Sequence, residues 1–282
     1  MGGKRIWRKT MTLFTVNAET CARDGLCASV CPAGCIDWQP GELPVPHEKK
    51  FAYCIGCGHC VAVCPHGALH LDRFPAGPVS LDSGHRPSLE QVEQLLLGRR
   101  SMRAYKPEPP DRDLVARLLD LTQYAPSGHN ARPVRWVVVS TPQGVRTVAE
   151  AIVDWMRDEA QRETPLAATL HLAGLVAAFD AGVDMICRDA PMLAVAHAPT
   201  RGVTPLEDGI IAVTYLELAA SGAGLGACWC GYLRAAALHD AGVRRLLGIP
   251  DDHTCCGALT LGRPARRFVA APPRPRADVR WL

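Results

Sequence analysis

An excess of either charge is missing from this 282-residue sequence, in which 31 Lys and Arg residues stand against 28 Asp and Glu for a net charge of +3. That balance gives no support to a nucleic-acid or membrane-surface role, and neither partner is expected. Long apolar runs are missing from the second half of the chain. Its stretches Thr164–Phe179 and Leu218–Leu233 are free of Asp, Glu, Lys and Arg, but each has sixteen residues, short of the roughly 20 that a spanning helix needs. No export signal is recognisable either, because Arg8 and Lys9 interrupt the place of its apolar core. These absences predict a soluble, cytoplasmic protein. With 48% hydrophobic and 21% charged residues, the chain can bury a sizeable core. At roughly 100–200 residues per domain, its length suggests two domains.

Cysteine, in contrast, is abundant. Thirteen are present, eight between Cys21 and Cys64 and five scattered from Cys187 to Cys256. In a reducing compartment, cysteines this dense point to metal or cluster ligation rather than to a disulfide framework. An offset of 33 residues lays Cys21, Cys27, Cys31 and Pro32 on Cys54, Cys60, Cys64 and Pro65. It also pairs Gly25 with Gly58, Val30 with Val63 and Gly34 with Gly67. The second copy reads C-x2-C-x2-C-x3-C-P, the run of bacterial two-cluster ferredoxins, in which the fourth cysteine serves the other cluster. Zinc sites use C-x2-C pairs but do not require four spaced cysteines ending in proline, twice over. The first copy departs from the run, with Asp24 standing where the repeat places Cys57. By the crossover rule, one cluster takes Cys21, Asp24, Cys27 and Cys64, and the other takes Cys54, Cys57, Cys60 and Cys31. Cys35 aligns with Ala68 and is read as a packed thiol, since free cysteine often behaves as a small hydrophobe. A domain this small has little core, so the clusters would also staple it.

The segment CARDGLCASVCP resembles variant bacterial-type ferredoxins in which an aspartate replaces the second cluster cysteine. The resemblance implies one [4Fe–4S] cluster held by four cysteines. The other is either a [4Fe–4S] cluster with Asp24 as an oxygen ligand or a [3Fe–4S] cluster with that corner empty. A carboxylate is a harder ligand than a thiolate, so iron at Asp24 should be the more labile.

A ferredoxin-like domain is expected over residues 12–73 and a linker over 74–87, where FPAGPVSLDSGHRP has three prolines and no period. The remainder, 88–282, reads as a second domain of α+β type, because helices outnumber strands and do not alternate regularly with them. Ser88 to Gln91 forms a capping box for a helix through Leu97, and Asp111 begins another with Leu114, Val115, Leu118 and Leu119 as its apolar stripe. Strands are expected at Arg135–Ser140, Met192–His197, Ala227–Leu233 and Gly257–Gly262, and a buried helix at Glu207–Ala220. Gly222, Gly224 and Ala227 fit the dinucleotide fingerprint G-x-G-x-x-A. A helix precedes that loop and a strand follows it, the reverse of what the fingerprint needs, so the Rossmann reading is rejected.

Four sets of residues in this domain resemble the nitroreductase-like flavoproteins, which bind FMN at a homodimer interface. Arg99, Arg100, Ser101 and Arg103 form the first set, with guanidinium forks and a hydroxyl suited to a ribityl phosphate. The second is Pro126, Ser127, Gly128 and Asn130, a loop that the family supplies from the opposite subunit; Arg132 and Val134 depart from the usual residues around its proline. In the third, Gly224 to Gly231, the resemblance places backbone past the flavin at Trp229, Cys230 and Gly231, with the Cys230 amide meeting N5. Cys228 and Cys230, two apart on an expected strand, share a face; packed side chains beneath the ring are favoured there over a redox dithiol. The fourth is the tail, where Gly262 and Pro264 precede basic residues returning to the phosphate, with Arg274 chosen ahead of Arg276.

Together the resemblances imply a ferredoxin-fused, nitroreductase-like FMN oxidoreductase. Single electrons from an external low-potential donor such as ferredoxin would enter through the clusters, and hydride would pass to a nitro compound, quinone, activated alkene or halogenated compound. No side chain is assigned as catalytic. The substrate wall is expected from Ala151–Cys187, which carries no readable motif. An electron relay to a protein partner, and an iron or redox sensor without turnover, are the alternatives.

Overall fold

The computed structural model describes residues 13–282; Arg8, Lys9 and Thr12 lie outside them. The chain packs as two units, the first ending at Arg86 and the second running from Pro87 to Leu282.

In the first unit the internal repeat is visible in the backbone. Two short helices, α1 (Leu26–Ser29) and α2 (His59–Ala62), follow Gly25 and Gly58, which adopt φ of 72° and 76°. The left-handed conformation favours glycine. Space requires it as well, because a Cβ on Gly25 would sit 2.5 Å from the Trp38 ring. Strand β1 (Thr15–Val16) pairs antiparallel with β4 (Leu69–His70), and β2 (Ile36–Asp37) with β3 (Val45–Pro46). The core between these ribbons is small, formed by Phe14, Cys27, Ile36, Val61, Leu69 and Leu71.

The second unit is built on an antiparallel sheet of order β5-β6-β8-β7, with β5 at Arg135–Val139, β6 at Met192–Pro199, β7 at Gly226–Trp229 and β8 at His253–Gly262. Alternate residues of β6 serve two cores. Leu193 and Val195 face α5 (Pro142–Gln161), α7 (Leu172–Asp180), α9 (Gly231–His239) and α10 (Ala241–Leu246), while Met192, Ala194 and Ala196 face α4 (Arg112–Leu121) and α8 (Pro205–Gly222). Both faces of the sheet are therefore covered, and β6 is buried along nearly its whole length. A bulge between Ala196 and His197 shifts the register against β8. Cys255 lies in one core and Cys256 in the other, as adjacent strand residues do. Cys256 lies against α8 so closely that a Cβ on Gly209 would overlap its side chain.

The expected capping signals are realised. Ser88 and Gln91 exchange both bonds of a capping box at α3 (Leu89–Gly98), and the Asp111 carboxylate accepts the Leu114 N–H at 2.9 Å to open α4. One expectation needs correction. The strand predicted over Ala227–Leu233 stops at Trp229, and Gly231 starts α9. Cys228 and Cys230 consequently do not share a strand face; Cys228 is half-buried in β7, whereas Cys230 is buried in the core beneath α9. The segment Ala151–Cys187, expected to wall a substrate site, sends Ile152, Met156, Ala167, Leu172, Leu175 and Phe179 into that same core through α5, α6 (Pro165–Thr169) and α7. No helix among the described residues is long and apolar enough to cross a membrane.

Candidate functional sites

Two cavities in the first unit collect its cysteines in crossed sets. One is lined by Cys54, Cys57 and Cys60 together with Cys31 from the other repeat. The second is lined by Cys21, Asp24 and Cys27 together with Cys64. The crossing follows from the Cys-Pro turns, which carry the chain out of each loop toward the other. Among the described residues, no three His, Cys, Asp or Glu groups converge as they would around a single ion; each set surrounds a volume. The repeat extends to the sulfurs' partners. Cys35 N–H donates to Cys31 Sγ at 3.2 Å and Ala68 N–H to Cys64 Sγ at 3.3 Å. Such amide bonds stabilise charge on a thiolate and tune the potential of any cluster it holds.

Asp24 is exposed at the edge of its cavity, with Oδ1 accepting the Leu26 N–H at 3.1 Å. Cys35 touches the other cavity but is buried, and its thiol donates to the Lys50 carbonyl at 3.2 Å. Burial first, then the neighbouring sulfurs, pushes this thiol up to about 12, which suits a packed group rather than an anionic ligand.

In the second unit, backbone pairing places three of the four sequence sets side by side. Ser101 bridges to Ala227, and Met102 N–H donates to the Ala227 carbonyl at 2.8 Å, docking the arginine segment along β7. Lys106 N–H donates to Arg263 O at 2.8 Å and Ala265 N–H to Ala104 O at 3.0 Å, docking the tail beside it. Tyr105 locks the junction, its hydroxyl lying 2.6 Å from both the Met102 carbonyl and Thr260 Oγ1. Between these segments opens a cavity of about 590 Å³, bordered by Arg99, Arg100, Arg266, Arg267, Glu217 and Ser221 among others. Four arginines thus border one opening, and guanidinium forks are groups suited to a phosphate-sized anion.

Glu217 organises this cavity from within. It is buried on α8, where Oε1 accepts from Arg99 Nη1 at 2.8 Å and Oε2 accepts from Trp229 Nε1 at 3.2 Å. One Arg99 nitrogen is thereby held while the rest of the fork stays available. Arg103 is exposed, and its charge acts on Cys228, whose thiol is nevertheless raised by burial.

The Pro126–Asn130 loop does not border the arginine cavity of its own chain. It lies at the other end of α8, where Pro126 and Ser127 line a small recess with Asp208. Asp208 Oδ1 accepts from Gly128 N–H at 2.9 Å and from Thr204 Oγ1 at 3.0 Å. Asp208 and Glu217 are nine residues apart, two and a half helical turns, so they leave α8 on opposite sides. Each is a buried carboxylate fixing a different candidate segment.

Two assignments change. The Cys230 amide, expected to be free, donates to the Ala258 carbonyl at 2.9 Å. The next amide, at Gly231, lies in the first turn of α9, where helix geometry provides no acceptor. Arg274 and Arg276 are exposed and outside the lining of the cavity, which the tail reaches instead through Arg266 and Arg267. Neither those arginines nor Asp208 and Glu217 stood out in the sequence. The readable signal was three acids, Glu207, Asp208 and Glu217, in an otherwise largely apolar helix, where a buried charge is kept only if it is paired.

Comparison with known proteins defines the class. Residues 96–263 match the nitroreductase family and residues 19–69 match the 4Fe-4S dicluster domain. The chain belongs to the nitroreductase family and is a nitroreductase-like oxidoreductase with a ferredoxin domain in front. A putative NADH dehydrogenase/NAD(P)H nitroreductase of Burkholderia lata is 30% identical over 146 residues, 48% of this chain and 69% of that protein. The electron transport protein HydN of Escherichia coli is 36% identical over 63 residues, 22% of this chain and only 34% of HydN. Among solved structures, an FMN-bound nitroreductase from Bacteroides fragilis shares the fold, with a TM-score of 0.56 and 22% identity over 68% of this chain and 98% of that one. A variant of the FMN- and NADPH-dependent nitroreductase NfnB from Sphigopyxis sp. strain HMH gives a TM-score of 0.51 at 26% identity, over 67% and 98%.

Proposed function

We propose that this protein reduces an electron-poor small molecule with electrons that enter singly through two iron–sulfur clusters and leave as a pair from FMN. The observation that carries the reading is the four-arginine cavity at the start of β7, in a chain whose other unit gathers two crossed sets of cluster donors. Bound FMN supplies hydride chemistry, and bound clusters supply one-electron transfer.

The protein's own residues do the binding and orienting. Arg99, Arg100, Arg266 and Arg267, with the Ser101 hydroxyl, hold the phosphate. Glu217 fixes the Arg99 fork and the Trp229 indole. The Gly231 amide is the donor offered to the ring edge, in place of Cys230. Pro126, Ser127, Gly128 and Asn130 complete the site from the partner of a homodimer, which accounts for their distance from the arginines of the same chain. Cys54, Cys57, Cys60 and Cys31 hold one [4Fe–4S] cluster. Cys21, Cys27 and Cys64 hold the other, with Asp24 as its oxygen ligand.

The test is an anaerobic assay of protein with counted iron and FMN, using reduced ferredoxin or NADPH as donor and nitro, quinone, enone and halogenated acceptors. Ferredoxin-driven turnover of at least one acceptor class is expected. Holoprotein that turns over none of them would leave the relay and sensor readings in possession. Asp24→Cys isolates the odd corner: it should slow the loss of iron to a chelator, because thiolate replaces a harder and weaker ligand. Iron loss at the unaltered rate would remove Asp24 from the ligand set.

A further inference from the structure

Two buried thiols that neither site uses meet where β7 gives way to α9. Cys230 caps the N-terminus of α9 and Cys187 lies in the segment leading to β6; both are buried in one core. Cys230 Sγ is 3.4 Å from the carbonyl of Ile186, the residue just before Cys187, so the two thiols are neighbours in this core. The Cys187 segment is fixed from behind by a buried carboxylate. Asp184 Oδ1 accepts the N–H groups of Ile186 and Cys187 at 2.8 Å each, and Oδ2 accepts that of Asp189 at 3.0 Å. Arg188 and Asp189 adopt φ of 63° and 46°, a conformation that side chains other than glycine rarely hold without such support.

From this geometry we infer that Cys187 and Cys230 are a dithiol/disulfide couple. On oxidation two S–H bonds break and one S–S bond forms, while two protons and two electrons pass to a small two-electron oxidant such as an azo compound. The S–S bond length is about 2.05 Å, and the sulfur of Cys230 already lies against the peptide that joins Ile186 to Cys187. The two sulfurs differ in character. The neighbouring Cys187 lowers the Cys230 thiol, while Cys230 and burial raise Cys187, so Cys230 is the attacking sulfur. Cys228, the partner that sequence spacing suggested, instead lies with its sulfur 3.7 Å from the Trp229 carbonyl. Closure ties the Asp184–Asp189 loop to the first turn of α9.

The couple does not depend on FMN or on the proposed reaction, and its test reads sulfur directly. Full-length Cys228→Ser protein with clusters in place leaves Cys230 as the single thiol of its tryptic peptide. The protein is treated anaerobically with diamide, quenched in acid, alkylated and mapped by mass spectrometry. A peptide linked through Cys187 and Cys230 is expected as the main product of both residues. Dithiothreitol should reverse it, and it should be absent after Cys187→Ser. Recovery of both residues as alkylated free thiols overturns the proposal, and so does a link from Cys230 to Cys255, its other cysteine neighbour in that core.

Discussion

Arg99→Ala is expected to weaken FMN binding by roughly 10- to 100-fold and to lower the melting temperature of the second unit as well. The first effect follows from losing a charge-assisted bond to phosphate, about 1.5–3 kcal/mol, with about 1.4 kcal/mol for each factor of ten. The second has a separate cause. Glu217 is 6% exposed and loses its ion-pair partner, and stranding a buried charge costs about 3–5 kcal/mol. Because the Arg99 side chain is itself 31% exposed, water can partly replace it, and the lower part of that range applies. The two effects separate in the double variant Arg99→Ala/Glu217→Gln. A neutral amide oxygen still accepts from Trp229 and leaves no stranded charge, so the melting temperature should recover while FMN binding stays weak. Calorimetry and fluorescence titration with FMN measure the two quantities independently. Unaltered FMN affinity in the single variant would remove Arg99 from the phosphate site; a double variant no more stable than the single would remove the stranded charge as the cause.

The residues in that prediction also show what could be read before the fold was known. Arg99 and Arg100 were legible because they directly follow a helix with a capping box, Ser88 to Gln91, and local hydrogen bonds of that kind are written in short sequence. The crossed cysteine sets were legible because a repeat at constant offset imposes the same turns twice. Glu217 was not, since its role depends on Arg99 and Trp229 arriving from distant elements. The end of β7 was hidden for a related reason. Ala227 to Leu233 is apolar enough to continue as a strand, but after the last matched pair, Trp229 with Leu259, the chain turns into α9 at Gly231. Once the strand stops there, Cys230 turns into the core toward Cys187, a contact 43 residues away in sequence that no local pattern encodes. The long helix α5 does carry a helical period in Val145, Val148, Ala149, Ile152 and Met156, yet it holds no chemistry-bearing motif to draw attention to it.

Removing the iron is expected to abolish ferredoxin-driven turnover completely while leaving the second unit folded. The first unit has strands of two residues and a core of six buried apolar groups. A single core in a domain of this size rarely supplies more than about 3–5 kcal/mol. Several of its residues are themselves thiols or next to thiols, and the amides of Cys35 and Ala68 already point at sulfur. Without iron those sulfurs revert to neutral thiols, the amide bonds weaken, and only the small core and the short β1–β4 pairing tie the two copies of the repeat together. Folding and cluster binding should then be one event. The second unit has its own two cores on either side of a four-stranded sheet and does not share that dependence. Limited proteolysis of anaerobically chelated protein should cleave within residues 13–86 and leave a stable fragment beginning near Pro87. That fragment should retain FMN and still reduce acceptor when a chemical reductant reaches the flavin directly. An iron-free first unit that resists the protease, or ferredoxin-driven turnover that survives chelation, would show that the clusters neither hold this unit together nor carry its electrons.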